Sequence, residues 1–120
     1  MRRTDTIQFE QREGPGHVAI LRVKGRLDGE TSPLLLQRCA RIQSGGQAMV
    51  LNLSGVTFLG SSGVGALLVL AEPGENSPPV RFAALSETAQ AVVELLDLTQ
   101  FLMLEATEES AVAALARKVG

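Results

Sequence analysis

Two adjacent serines, Ser61 and Ser62, are the residues of this chain best placed to carry chemistry. They follow an apolar run, 49–53, that is short enough to be a buried strand, and they precede an apolar segment of helix formers, 66–71. A strand that delivers a serine to the start of a helix places the hydroxyl at the carboxyl edge of a sheet, where open α/β sheets bind and react. The helix start also supplies free N–H groups and partial positive charge, which tolerate an added phosphate.

Familiar enzyme signatures do not fit around these serines. A nucleophile elbow needs glycine two positions before and after its serine, whereas Ser62 has Gly60 before it and Val64 after it. A P-loop needs a lysine after its glycines, and none follows Gly65. The single histidine, His17, has no second histidine or cysteine nearby, so we interpret it as a solvated turn residue and not as a metal ligand or catalytic base. We therefore predict no catalytic residue, no metal site and no cofactor.

Composition limits the remaining possibilities. A chain of 120 residues predicts a single domain, residues 1–120, that is large enough to bury a core. A net charge of -2, scattered basic residues and the absence of Trp and Tyr argue against nucleic-acid binding. The single cysteine, Cys39, excludes an internal disulfide and fits a reducing compartment, and we interpret it as a buried packing residue.

The sequence shows no targeting or membrane segment. Residues 1–12 are polar and lack the apolar centre of a signal peptide. The longest apolar run, 64–71, is far shorter than the ~20 residues of a membrane span. We therefore expect a soluble, cytoplasmic protein that does not insert into a membrane.

Hydrophobic periodicity and turn residues predict alternating strands and helices. The predicted strands are 6–11, 17–25, 49–53, 80–84 and 101–104. The predicted helices are 33–43, 61 to about 71, one after a Ser86 cap and one after a Thr107 cap. Turns are expected at 14–16, between the first two strands, and at Ser54-Gly55 and Gly60, after the third strand. Such alternation implies a largely parallel sheet, to which the opening hairpin adds one antiparallel partner.

The helices should each bury one apolar face. Thr31 or Ser32 is expected to cap the first helix. The residues expected to face the core are Leu35, Cys39 and Ile42 in the first helix, Val92, Val93, Leu95 and Leu96 in the third, and Ala111, Val112 and Leu115 in the last. A loop at 72–79, which contains three prolines, stops the second helix, and Arg117 and Lys118 favour the C-terminal end of the last one.

Gly63 and Gly65 fall in the first turns of the second helix, where Ala would be more favourable by about 0.5–1 kcal/mol. One interpretation is close packing of the helix against the sheet or a neighbouring loop. The other is a bare surface that lets a partner approach the serines. Both can hold at once.

Three segments in the same order resemble the STAS domains, the anti-sigma factor antagonists of bacterial partner-switching systems. The run 51–65, LNLSGVTFLGSSGVG, is similar to the family form D/N-L-S-x-V-x-F-I/M-D-S-S/T-G-L-G. The run 23–31, VKGRLDGET, resembles the family's G-x-L-D-x-x-T segment, and the run 98–101, LTQF, resembles the segment before its last strand. The resemblance covers residues 6–117.

The resemblance implies a fold and a function. The fold is a mixed α/β sheet of four to five strands, with about four helices mainly on one side. The function is binding an anti-sigma factor that is also a serine kinase of the GHKL type. The kinase phosphorylates the antagonist on a serine that corresponds to Ser61, with Ser62 as the second choice, and a PP2C-type phosphatase reverses this. The expected contact residues are Asp28, Thr31, Gly60, Ser61, Ser62 and Gly63.

One motif position departs from the family, which has Asp where this chain has Gly60. The second helix is also shorter than is usual and lacks a basic tail. Ser61 can be a phosphorylation site or only a helix N-cap, and Asp28 can be a contact residue or a loop carboxylate. At the level of function, the alternatives are a STAS subunit of a lipid-transport ABC system, a signalling scaffold, or a small nucleotide-binding or enzymatic domain.

Overall fold

The computed structural model describes residues 7–72, 74 and 77–119, with side chains up to residue 116. The described elements follow the predicted order. They are β1 (Ile7–Gly14), a 3-10 turn (Pro15–His17), β2 (Val18–Leu27), α1 (Ser32–Ser44), β3 (Met49–Leu59), α2 (Ser61–Ala71), β4 (Val80–Ala83), α3 (Glu87–Leu95), β5 (Leu104–Glu105) and α4 (Glu108–Val119). The expectations for Thr6, Pro73, residues 75–76 and the side chains of Arg117 and Lys118 lie outside the described residues.

The strands form one mixed sheet in the order β1-β2-β3-β4-β5. The opening pair β1 and β2 is antiparallel, and each later neighbour is parallel to the one before it. The C-terminal ends of β2 and β3 therefore lie side by side at one edge, where the loop 28–31 and the start of α2 follow them.

Helices cover both faces of the sheet unequally. A large core packs α1, α2 and α3 against one face, and a smaller core packs α4 against the other. The α1 stripe of Leu35, Cys39 and Ile42 is buried as predicted. Burial raises the pKa of the Cys39 thiol to about 12, so the thiol stays protonated and unreactive.

The third strand is longer than predicted, because Ser54-Gly55 is not a turn. β3 continues to Leu59, and its pairing with β2 shifts register twice, at Gly55 and again before Phe58. Each shift adds one residue to β3. Since side chains alternate in a strand, the two extra residues keep Leu53, Val56 and Leu59 on the core face at a spacing of three. Gly55 is required at the first shift, since a Cβ there would lie 2.9 Å from the carbonyl oxygen of Val23.

Two predictions near the C-terminus are wrong. The last strand is Leu104–Glu105 and not 101–104, because the preceding residues form a turn in which Leu98 O accepts hydrogen bonds from the N–H groups of Phe101 and Leu102. Leu98 and Leu102 are the buried residues of that turn. Leu95 and Leu96, which were expected to face the core, are exposed. The predicted caps of α3 and α4 are confirmed: Ser86 Oγ accepts from Ala89 N, and Thr107 Oγ1 accepts from Ser110 N.

On the face of the sheet that is covered by α4, an ion pair holds the start of this helix against the sheet. Arg22 in β2 donates two hydrogen bonds to Glu108, from Nε to Oε2 at 2.9 Å and from Nη2 to Oε1 at 2.8 Å. Asn52 in β3 donates from Nδ2 to the same Oε2 at 2.8 Å. Hydrogen bonding from the Arg22 guanidinium holds the pKa of Glu108 below its ordinary value.

Glu108→Gln is expected to lower the free energy of unfolding at pH 7 by about 1–2 kcal/mol, because it removes a charge-assisted pair at a partly exposed site. The folded-state pKa of Glu108 lies below its ordinary value of 4.5, so its contribution is present above that value and is lost as the pH falls through the folded pKa. Urea unfolding at several pH values should show the difference from wild type shrinking in acid. The matched control is Glu109→Gln, at an exposed neighbour. Equal losses in the two variants would contradict the prediction.

Candidate functional site

The predicted site residues meet where β2 and β3 end. Gly60 N donates to Leu27 O at 3.0 Å, and this bond ties the loop 28–31 to the start of α2. A Cβ on Gly29 would lie 3.7 Å from Ser62 Oγ, so the loop and the helix start lie close together. We call the surface formed by residues 28–31 and 60–63 the serine edge.

The loop of the serine edge is held by its own side chains. Thr31 Oγ1 donates to Arg26 O at 2.6 Å and accepts from Asp28 N at 2.9 Å. Asp28 Oδ1 accepts from the N–H groups of Thr31 at 3.1 Å and Glu30 at 3.0 Å. The Thr31 hydrogen bond is the main reason that the pKa of Asp28 lies below its ordinary value. The Asp28 carboxylate therefore stays ionised and shapes the loop.

Thr31 and Asp28 have different exposures within this loop. Thr31 is only 2% exposed, so any effect on a partner passes through the loop backbone that it holds. Asp28 is partly exposed and can both anchor the loop and meet a partner. Neither Thr31 nor Ser32 caps α1 with its side chain, because Thr31 Oγ1 is used within the loop and Ser32 Oγ is buried without a partner among the described residues.

Ser61 and Ser62 open α2 with free hydroxyls. The N-cap of α2 is Gly60, and no side chain caps this helix end. The interpretation of Ser61 as the N-cap is therefore wrong: Ser61 is the first helical residue. Both serines are exposed, and neither hydroxyl hydrogen-bonds to a described residue. The first N–H groups of a helix have no intrahelical acceptor, so they add donors and positive potential beside the two hydroxyls.

Each of the two interpretations of the α2 glycines holds for one of them. A Cβ on Gly63 would lie 2.7 Å from Leu59 Cδ1 and 2.9 Å from both Leu27 Cβ and Leu27 O, so this position is close-packed. A Cβ on Gly65 would meet nothing within 4 Å, so this position leaves open surface one turn behind the serines. Gly63 sets how closely α2 approaches the strand ends.

Arg26 and Phe58 also border the serine edge, although neither was predicted as a site residue. Phe58 is 37% exposed, and the Arg26 guanidinium lies 4.1 Å from the centre of its ring. The two residues are register partners at the end of β2 and β3. They were missed because the third strand was expected to end before Phe58. A β3 that reaches Leu59 brings them together.

Other candidate chemistry finds no support in the described part of the chain. His17 is exposed at the turn and contacts Glu13, as expected for a turn residue. No three His, Cys, Asp or Glu side chains among residues 7–72, 74 and 77–116 gather as metal ligands would. No described helix has both the length and the apolar character needed to cross a bilayer.

Comparison with known proteins places these features in a family. The family model described as the STAS domain matches residues 7–111. A solved structure of an anti-sigma factor antagonist from Mycobacterium paratuberculosis is 26% identical over 96% of this chain and 98% of its own, with a TM-score of 0.79. No curated protein sequence matches this chain.

Two further solved structures share the fold. The unphosphorylated anti-sigma factor antagonist SpoIIAA is 22% identical over 88% of this chain and 93% of its own, with a TM-score of 0.68. The Bacillus cell fate determinant SpoIIAA in its phosphorylated form is 22% identical over 89% and 98%, with a TM-score of 0.59. The expected fold, a mixed sheet with helices mainly on one side, is confirmed.

Proposed function

Because the chain belongs to the STAS domain family, we propose that it is an anti-sigma factor antagonist controlled by phosphorylation of Ser61. In its unmodified form it binds an anti-sigma factor, a serine kinase of the GHKL type, through the serine edge. The kinase transfers the terminal phosphoryl group of ATP to Ser61 Oγ, which loses its proton, and the complex separates. A PP2C-type phosphatase restores the hydroxyl. The protein acts in the cytoplasm as a binding module, without an enzyme activity or cofactor of its own.

The state of the two serines supports this proposal most strongly. Ser61 is exposed, its hydroxyl has no hydrogen bond to a described residue, and it opens a helix that no side chain caps. A phosphate on Ser61 would meet the unpaired N–H groups and the positive end of the α2 dipole. It would therefore leave the fold intact and change only the surface.

The same phosphate would oppose a partner that fits the neutral serine edge. It adds about -1.5 to -2 charges at pH 7. Asp28 already places a carboxylate in the adjoining loop, and its lowered pKa keeps it charged. A partner that closes over both groups would bury charge without compensation, which favours release. The two SpoIIAA structures, one described as phosphorylated and one as unphosphorylated, show that a protein of the same fold exists in both states.

The test is intact mass after incubation with ATP and each candidate kinase of the same organism. We expect one added phosphate on wild type and on Ser62→Ala, and none on Ser61→Ala. Ser62→Ala is the matched control, because it removes the neighbouring exposed hydroxyl from the same helix turn. Phosphate on Ser61→Ala but not on Ser62→Ala would move the site to Ser62.

A stable complex without phosphate transfer would mean a constitutive antagonist and contradict the switch. Neither phosphate nor complex with any candidate kinase would contradict the whole proposal. That result would favour a STAS subunit of a lipid-transport ABC system or a signalling scaffold. Stabilisation by nucleotides alone, about 2.7 kcal/mol at 100 times the Kd, would instead indicate a nucleotide-binding domain.

A further inference from the structure

Beside Ser61 lies a stack of three residues, Gly60, Phe58 and Arg26, of which only Phe58 matches a fixed position of the family motif. A Cβ on Gly60 would lie 2.9 Å from Phe58 Cε2, so the ring rests directly against the backbone that leads into Ser61. On this ring lies the guanidinium of Arg26, 4.1 Å from the ring centre. The missing side chain at Gly60 is thus what allows the ring to settle against the serine edge.

The stack holds Arg26 in one orientation but leaves some of its hydrogen-bond donors free. Its Nε donates weakly to Asp28 Oδ2 at 3.5 Å, and its terminal Nη groups have no hydrogen-bond acceptor among the described residues. Half of the side chain is exposed. Stacking on Phe58 and the Asp28 contact restrict its rotamers, so less conformational entropy is lost when its free N–H groups bind an acceptor.

The nearby Asp28 carboxylate does not occupy the Nη groups of Arg26. Asp28 Oδ1 accepts two hydrogen bonds from within the loop, from the backbone N–H groups of Glu30 and Thr31. The Nη groups of the guanidinium therefore keep hydrogen-bonding capacity for a partner. An exposed aromatic ring with an ordered arginine is the composition that interface hot spots favour.

We propose that the Arg26–Phe58 stack determines which kinase this chain binds, by selecting a partner that presents a carboxylate beside an apolar side chain. The carboxylate accepts from the Nη groups of Arg26, and the apolar side chain covers the Phe58 ring. This inference rests on the proposed function, since it names the chemistry of the kinase surface that meets the serine edge.

Binding of the kinase to charge-reversed variants tests the inference. Arg26→Glu is expected to raise the Kd at least tenfold. The substitution replaces the guanidinium that bound the kinase carboxylate with a second carboxylate, so that like charges face each other. Arg26→Lys keeps the charge but loses the planar fork, and is expected to weaken the Kd several-fold. Lys24→Glu is the matched control, an identical charge change at an exposed residue of the same strand, and should stay within about twofold of wild type.

Rescue separates recognition from a structural effect. Replacing the responsible acidic residue of the kinase with arginine should restore binding to Arg26→Glu and weaken binding to wild type. Melting curves check that Arg26→Glu folds, and Arg26→Gln, a neutral change, takes its place if it does not. Equal Kd values for the Arg26 variants and Lys24→Glu, or no acidic kinase position that gives rescue, overturn the inference. If wild type itself binds no kinase, the proposed function fails instead, so the two failures are distinct.

Discussion

Gly63→Ala is expected to lower the free energy of unfolding by about 1–3 kcal/mol, although alanine is the better helix former. The added methyl would lie 2.7–2.9 Å from Leu59 Cδ1 and from two atoms of Leu27. One of these is the Leu27 carbonyl oxygen, which belongs to the backbone and also accepts the Gly60 hydrogen bond. Since a strand end cannot move as a side chain can, α2 must shift or the strand must bend. Urea unfolding of the purified variant measures the loss.

Gly65→Ala is the matched control for this prediction. It lies two residues further along the same helix, and a Cβ there meets nothing within 4 Å. The same substitution should therefore raise the free energy of unfolding by about 0.5–1 kcal/mol, through the helix preference alone. Opposite signs for the two variants are the expected result. A stabilising Gly63→Ala would show that α2 does not depend on close contact with Leu27.

Ser61→Asp is expected to weaken kinase binding by at least about 30-fold while leaving the protein slightly more stable. A carboxylate in the first turn of α2 interacts favourably with the helix dipole, by about 0.3–1 kcal/mol. The same carboxylate buried beneath a partner shaped for a hydroxyl is an uncompensated charge, which costs about 2–5 kcal/mol. Stability and affinity should thus move in opposite directions, a combination that simple unfolding of the site cannot produce.

Calorimetric titration against the kinase, together with urea unfolding of the free protein, measures both effects. Ser54→Asp is the control, because Ser54 is an exposed serine of β3 that lies outside the serine edge. Its affinity should equal that of wild type. If Ser61→Asp binds as tightly as Ser54→Asp, the partner does not close over Ser61 and the proposed switch is wrong.

Local sequence determined the order of the elements and most of their ends. The caps Ser86 and Thr107 work through contacts within three residues, so they could be predicted from single residues and their neighbours. The α1 stripe of Leu35, Cys39 and Ile42 depends only on helical spacing. The two serines at a strand-to-helix junction, and the resemblance of the run 51–65 to the STAS motif, likewise needed no structure.

Only the tertiary structure decided how the strand ends and the site are assembled. Whether Ser54-Gly55 is a turn or a bulge depends on β2, which pairs beside it and holds the chain extended to Leu59. Leu98 and Leu102 are buried in the core, and Leu95 and Leu96 are not, because the chain forms a turn between α3 and β5. The contact of Gly63 with Leu27 and the Arg26–Phe58 stack join residues 32–36 positions apart. Periodicity and capping report on near neighbours in the chain, whereas these contacts depend on which strands lie side by side, and that is fixed only when the whole sheet forms.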